Sequence, residues 1–294
     1  MTPPGSLRVP VLAGAVVIAS TLVPSAQVRF SARVDLVRLD VLVTDRGQPV
    51  RGLGPTDFEV RDNGVPQTIE FVSTDQMPVN LLLSMDISES VSGERLTALQ
   101  AAGRAAVAAT RGEDLAGLVA FHHAVLAPVP PTRDRALVGD AVGRLLPGGV
   151  GTALHDAVHA GLVLLDDREA RPALIVFSDA SDTSSWLRSA DVLATARRVD
   201  AVVYGIVSAG RHRPEFLESI AEATGGRVVR LDRGTRLDEA LLAILDEFRS
   251  RYVLGYRPTG VPRDGWHPVE VRLKGRRGTV RARPGYVRGG GPGP

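Results

Sequence analysis

Residues 28–75 alternate apolar and polar side chains with the period of two that half-buried strands require. In "ARVDLVRLDVLVTD" (32–45), Val34 and Leu36 alternate with Asp35 and Arg38 before the run "LDVLV". "DRGQPV" reads as a hairpin turn, and "TDFEVRDNGVPQTIEFVS" as a second hairpin around Asn63-Gly64. From residue 78 the pattern changes. "VNLLLSMD", "LAGLVAF", "ALIVFSD", "DAVVYGIV" and "GRVVRL" are near-continuous apolar runs, as expected of parallel strands buried on both faces. Between them lie stretches with helical period: "GERLTALQAAGRAAVAAT", "RALVGDAVGRLL", "TALHDAVHAGLVLLDD", "SADVLATARRV", "PEFLESIAEATG" and "RLDEALLAILDEFRSR". The prolines of "HAVLAPVP" confine it to an antiparallel edge. Alternation returns in "YVLGYRP", "HPVEVRLK" and "TVRARPGYV".

These patterns predict an α/β fold with a doubly wound, mostly parallel sheet at 78–250. It is inserted between β segments at 27–77 and 251–288, each too small to stand alone with ease. The economical arrangement is one small β-sandwich built from both segments; the alternative is two separate appendages packed on the α/β domain. Residues 289–294, "GGGPGP" at the end of the chain, are expected to be a disordered tail. Residues 1–26 read as an export signal: Arg8, the apolar core "VPVLAGAVVIASTLV", and small residues for cleavage after Ser25 or Ala26. The rival is an uncleaved membrane anchor, but Pro10 and Pro24 interrupt the run, which falls short of the roughly 20 residues a span needs. No later segment is long and apolar enough to cross a membrane. The expected location is outside the cytoplasm: periplasmic, on the cell surface or secreted.

The 294 residues contain no cysteine, which excludes a disulfide framework, a zinc–thiolate site, a cysteine nucleophile and a lipoprotein anchor. The formal net charge is only +2, and of 35 basic residues Lys274 alone is lysine. Arg272, Arg276, Arg277, Arg281, Arg283 and Arg288 fall on or beside the C-terminal strands, where outward positions account for them. Aromatic residues make up 4% of the chain, too few to supply a stacking surface beside these arginines, so nucleic acid is not an expected partner.

The candidate chemistry lies in three separated segments. "LLLSMDISES" ends a buried strand in Asp86, Ser88 and Ser90, three hard oxygen side chains of one parity. If the chain stays extended there, they point the same way. "GGVGTALHDAV" sets Thr152 at a helix start after a glycine-rich loop, and "IVFSDASD" ends a central strand at Asp179. In an open α/β sheet such strand ends meet at the switch point, and two carboxylates with three hydroxyls suit a hydrated divalent cation. Together these three segments resemble the metal-ion-dependent adhesion site of the von Willebrand factor A domain. The resemblance implies that Ser88, Ser90 and Thr152 contact Mg²⁺ (or Mn²⁺) directly or through water. It implies that Asp86 and Asp179 act mostly through waters or hydroxyls. Over the whole chain, "VTDRGQPVRGLGPTDFEVRDNGVPQ" and "YVLGYRP" resemble a group of exported bacterial proteins known from Acidobacteria. Ala180 departs from the family pattern, which often has Gly after the third-loop Asp. The resemblance implies a non-enzymatic adhesion module. With the local charge near zero and hydroxyl ligands dominating, the bound ion stays electrophilic and takes an Asp, Glu or chain-terminal carboxylate from a protein partner.

Other constellations compete. "HDAVH" places His155 and His159 four apart on one helix face, as in zinc proteases, but Asp156 replaces the usual Glu and no third ligand is evident. His155 and Asp156 are expected instead to support the Mg²⁺ ligands from behind. His122 and His123 follow a strand and read as a solvated turn. "GGVG" resembles a phosphate cradle without the lysine of a nucleotide-binding loop, and no nucleophile elbow is present. A metal-dependent hydrolase and a metal-free structural envelope protein remain the alternative functions.

Overall fold

The computed structural model describes residues 36–74, 77–165, 170–208, 213–231 and 236–289. The expected export signal and nearly all of the expected tail lie outside the described residues. Strand β1 (Val37–Asp45) turns through Arg46 and Gly47 into β2 (Gln48–Pro49), and β3 (Phe58–Asp62) turns through Asn63 and Gly64 into β4 (Val65–Gln67). Both pairs of turn residues have positive φ, the geometry that matches the twist of a two-residue hairpin. Strand β5 (Ile69–Ser73) ends this zone. The chain then alternates: β6 (Val79–Asp86), α1 (Glu94–Ala108), β7 (Leu115–Phe121), β8 (Val125–Thr132), α2 (Arg135–Gly143), α3 (Leu154–Leu164), β9 (Arg171–Ser178), α4 (Ser189–Ala196), β10 (Val202–Val207), α5 (Glu215–Thr224), β11 (Val228–Arg230) and α6 (Leu237–Arg249). It closes with β12 (Tyr252–Tyr256), β13 (Gly265–Leu273), β14 (Thr279–Arg281) and β15 (Gly285–Arg288).

The central sheet has the order β11-β10-β9-β6-β7-β8 and is parallel except for β8, the proline-bearing edge. The order runs one way from β6 and the other way from β9, so the switch point lies between these two strands. Along β6, Leu81, Leu83 and Met85 pack with α1, α2 and α6, while Leu82 packs on the other face with α3, α4 and α5. Burial on both faces explains the unbroken apolar runs. The fold-class expectation is borne out. No helix among the described residues is long and apolar enough to cross a membrane.

The two β zones interleave. One sheet has the order β14-β1-β12-β5, with β2 also on β1; the other has the order β15-β13-β3-β4. Each therefore mixes N-terminal and C-terminal strands. Leu39, Val41 and Val43 share a core with Phe58, Val60, Tyr252, Leu254 and Val269, while Val271 and Leu273 pack at its margin. One buried carboxylate holds the zones together. Asp62 accepts hydrogen bonds from His267 Nδ1 (2.8 Å), Tyr286 OH (2.8 Å), Tyr256 OH (3.0 Å) and Asn63 Nδ2 (2.9 Å). A carboxylate only accepts, so Nδ1 carries the imidazole proton. Burial raises the pKa of both tyrosines, which keeps both hydroxyls as donors.

The sandwich meets the α/β domain through buried arginines. Arg251, fully buried, donates to Tyr204 OH (3.0 Å), to the Asp40 carbonyl (3.2 Å) and to the Gly225 carbonyl. Arg171 at the start of β9 pairs with Asp40 and donates to the Phe248 carbonyl (3.1 Å). Arg283 corrects the expectation of outward arginines. It is buried, bonded to Asp200 (2.9 Å) and to the Arg197 and Gly285 carbonyls. A fixed fork of N–H donors fits several carbonyls at once, which suits Arg to this use. Arg272 and Arg276 do lie at exposed positions, paired with Glu270 and Asp57.

Asp62→Ala leaves three buried donors from β12, β13 and β15 without their acceptor. It should cost about 3–5 kcal/mol, read as a lowered urea midpoint. Arg272→Ala, at an exposed pair, should stay within about 0.5 kcal/mol of the parent.

Candidate functional site

The C-terminal ends of β6 and β9 flank the switch point, and the first and third segments begin there. Asp86 is the last residue of β6 and has no solvent exposure. Its Oδ1 accepts from Ser88 N–H (2.9 Å) and its Oδ2 from Ser178 O–H (2.9 Å). Ser178 Oγ in turn accepts from Ala180 N–H (3.1 Å), which ties the first segment to the third. The extended path expected through "DISES" is not what forms. Residues Glu89–Val91 make a 3₁₀ turn, so Ser90 is brought in by a turn and not by strand parity. The hydroxyls still converge: Ser88 Oγ lies 3.1 Å from Ser90 Oγ, and Ser90 Oγ donates to Asp179 Oδ2 at 3.4 Å. Asp86, Ser88, Ser90 and Asp179 thus form one connected group.

Thr152 joins this group through the loops. The N–H of Gly148 donates to the Ile87 carbonyl (2.6 Å), which fastens the glycine-rich loop to the first segment. Thr152 N–H donates to Thr183 Oγ1 (2.9 Å), and its carbonyl accepts from Thr183 N–H (2.9 Å) and Ser184 N–H (3.1 Å). Gly151, with φ of 98°, permits this contact, since a Cβ there would stand 2.4 Å from Ser184 Oγ. No hydrogen bond among the described residues engages the Thr152 hydroxyl, and none joins Thr152 directly to Asp86 or Asp179.

His155 and Asp156 serve the third segment. Asp156 accepts from the N–H groups of Trp186 and Leu187 (both 2.9 Å). His155 Nδ1 donates to the Leu187 carbonyl (3.1 Å), and its ring packs on Phe216. Their bonds run to residues 182–187, with none to the two site carboxylates among the described residues. His159 turns to Thr195 (3.3 Å). His122 and His123 are more than a solvated turn. Their Nδ1 atoms lie 2.9 Å apart, and a Cβ on Gly148 would fall 2.3 Å from the His122 ring. The glycines of "GGVG" make room for imidazoles. Burial first, then His123, holds the His122 pKa below its ordinary value. Sequence reasoning missed this packing, because the histidines of "HH" and the glycines of "PGGVG" are distant along the chain and only the fold brings them together.

The electrostatics favour a cation. Burial raises the pKa of Asp86. The bonds from Ser88 and Ser178 lower it in part, and the neighbouring Asp179 raises it further. Among the described residues no Lys, Arg or His forms an ion pair with either carboxylate. No cluster of three His, Cys, Asp or Glu is set to hold a metal there either; two carboxylates and hydroxyls fall outside that pattern. This donor set fits a hard, oxygen-seeking ion such as Mg²⁺. Ala180 has a φ of 66°, in the left-handed region, so the position that departs from the family pattern has a backbone suited to glycine.

Residues 81–181 match the family model of the von Willebrand factor type A domain. A search of curated proteins found no match. Among solved structures, a von Willebrand factor type A protein from Catenulispora acidiphila is 13% identical, with a TM-score of 0.54 over 84% of this chain and 75% of that one. Proximal thread matrix protein 1 from the mussel byssus, solved with a zinc-occupied MIDAS motif, is 15% identical with a TM-score of 0.52. That match covers 63% of this chain and 49% of the mussel protein, so this chain spans about half of its length. At these identities the likeness is one of fold.

Two outcomes follow from the site. Ala180→Gly should stabilise the protein by about 1 kcal/mol, seen as a higher melting temperature, by removing a left-handed Cβ. In EDTA, the raised Asp86 pKa makes its stabilising contribution complete at low pH. The contribution is lost as pH rises from the ordinary carboxylate range through the raised value. Asp86→Asn should abolish that part of the pH slope in urea titrations, and an unchanged slope would place the loss elsewhere.

Proposed function

We propose that this protein is an exported, non-enzymatic binding module that uses Mg²⁺ (or Mn²⁺) to hold an acidic group of a protein partner. The observation that carries this is the connected group Asp86, Ser88, Ser90 and Asp179 at the switch point, with two carboxylates and no basic partner among the described residues. Asp86, Ser88, Ser90, Thr152 and Asp179 would hold the ion, with Thr152 contributing the hydroxyl that the described residues leave unbonded. When bound, the ion supplies an electrophilic centre. It neutralises the two carboxylates, and a partner's Asp, Glu or terminal carboxylate can replace one of its waters. The zinc-occupied MIDAS motif of the mussel protein is consistent with a metal role for this fold. Export rests on residues 1–26 of the sequence alone.

A hydrolase has less support. His155 and His159 engage Leu187 and Thr195, and a zinc centre on this pair lacks a third ligand among the described residues.

Calorimetry should register one Mg²⁺ or Mn²⁺ per chain, with binding lost in Asp86→Ala and Asp179→Ala and weakened in Ser88→Ala and Thr152→Ala. Saturating ion should raise the melting temperature, by about 2.7 kcal/mol of stabilisation at a hundredfold excess over Kd. Identical isotherms for the parent and both Asp variants would overturn the metal assignment.

A further inference from the structure

We infer that the partner's carboxylate is flanked by a large apolar side chain that packs on Trp186; this rests on the metal-dependent binding proposed above. Trp186 is 93% exposed. An indole left in water forgoes the burial that makes aromatic residues dominate cores and interfaces. Here it is held out by a rigid loop. Asp156 accepts from Trp186 N–H and Leu187 N–H, Ser185 Oγ donates to Asp182 (2.5 Å), and Asp182 accepts from His155 N–H (3.2 Å). His155 and Asp156 lie in the first turn of α3, directly after Thr152. The ordering of this loop is therefore complete before a partner arrives, which removes a main cost of association.

The same loop bonds Thr152 through Thr183 and Ser184. The segment that carries Trp186 and the segment that carries Thr152 are braced against each other. Val150, 79% exposed, and Leu146, 74% exposed, lie on or beside the glycine-rich loop, itself fastened to Ile87. Rigid, exposed tryptophans are typical anchors of protein interfaces.

The chemistry selects the flanking group. An indole face also attracts Arg or Lys, but packing there strips water from the charged group, a cost that opposes it. An aliphatic or aromatic neighbour meets no such opposition.

The test uses the full chain and labelled octapeptides with one central Glu, flanked on both sides by Leu, by Ser or by Arg, titrated by fluorescence anisotropy in Mg²⁺ and in EDTA. Leu-flanked peptides should bind about tenfold more tightly than Ser-flanked ones. Trp186→Ser should erase that preference while leaving the Mg²⁺ dependence and the melting temperature in place. Mg²⁺-dependent binding with the preference intact in Trp186→Ser, with no preference in the parent, or with Arg flanks favoured, would overturn the inference alone. Binding that ignores EDTA and Asp86→Ala, or no binding by any peptide, would overturn the metal reading and the inference with it.

Discussion

The pairing of β5 with β12 is the constraint on which the architecture rests. Ser73, the last residue of β5, lies opposite Val253, the second residue of β12. The chain leaves the sandwich and returns to it on neighbouring strands, with the whole α/β domain between. An insertion is tolerated only where its two ends can meet at the spacing of a strand pair, about 5 Å. The α/β fold meets that demand because β6 begins and α6 ends at the same edge of the central sheet. The Asp62 carboxylate, on a strand before the insertion, then closes the sandwich by gathering donors from three strands that follow it.

What was legible in the sequence followed from periodicity. The alternation of "VRLDVLV" marked a strand with one buried face, and the unbroken runs marked strands covered on both. All six helix-like stretches contain a helix. Asp86, Ser88, Ser90 and Asp179 could be grouped because strand ends in a doubly wound sheet have a fixed rendezvous at the switch point. Their route together could not be read, since a 3₁₀ turn and an extended strand place the same spacing differently.

Other features depend on contacts distant in sequence. Asp62 in "RDNG" reads as a turn residue, and only the return of β12, β13 and β15 surrounds it with donors. Arg251 and Arg283 look like surface charges until the junction buries them among carbonyls. Charge pattern alone cannot distinguish a solvated arginine from one whose donors serve buried carbonyl and side-chain oxygens. Ala180 is the converse case. The sequence marked it as a departure from the family pattern, and the left-handed backbone at that position gives the departure a physical cost.

The distribution of these contacts has a functional consequence. Arg171, Arg251 and Arg283 reach Asp40, Gly225, Asp200 and Tyr204 from the edge where the parallel strands begin. Asp86 and Asp179 stand where those strands end. Since the strands are parallel, the two sets of contacts occupy opposite poles of the sheet. The sandwich grips one pole and leaves the loops of the other uncovered. A partner drawn to the ion proposed at Asp86 and Asp179 would meet the three loops without competing with the sandwich. Any influence of the sandwich on that site has to travel the length of strands packed on both faces, through cores that resist deformation. The sandwich is suited to be a rigid mount, and the candidate site lies at the far ends of β6 and β9.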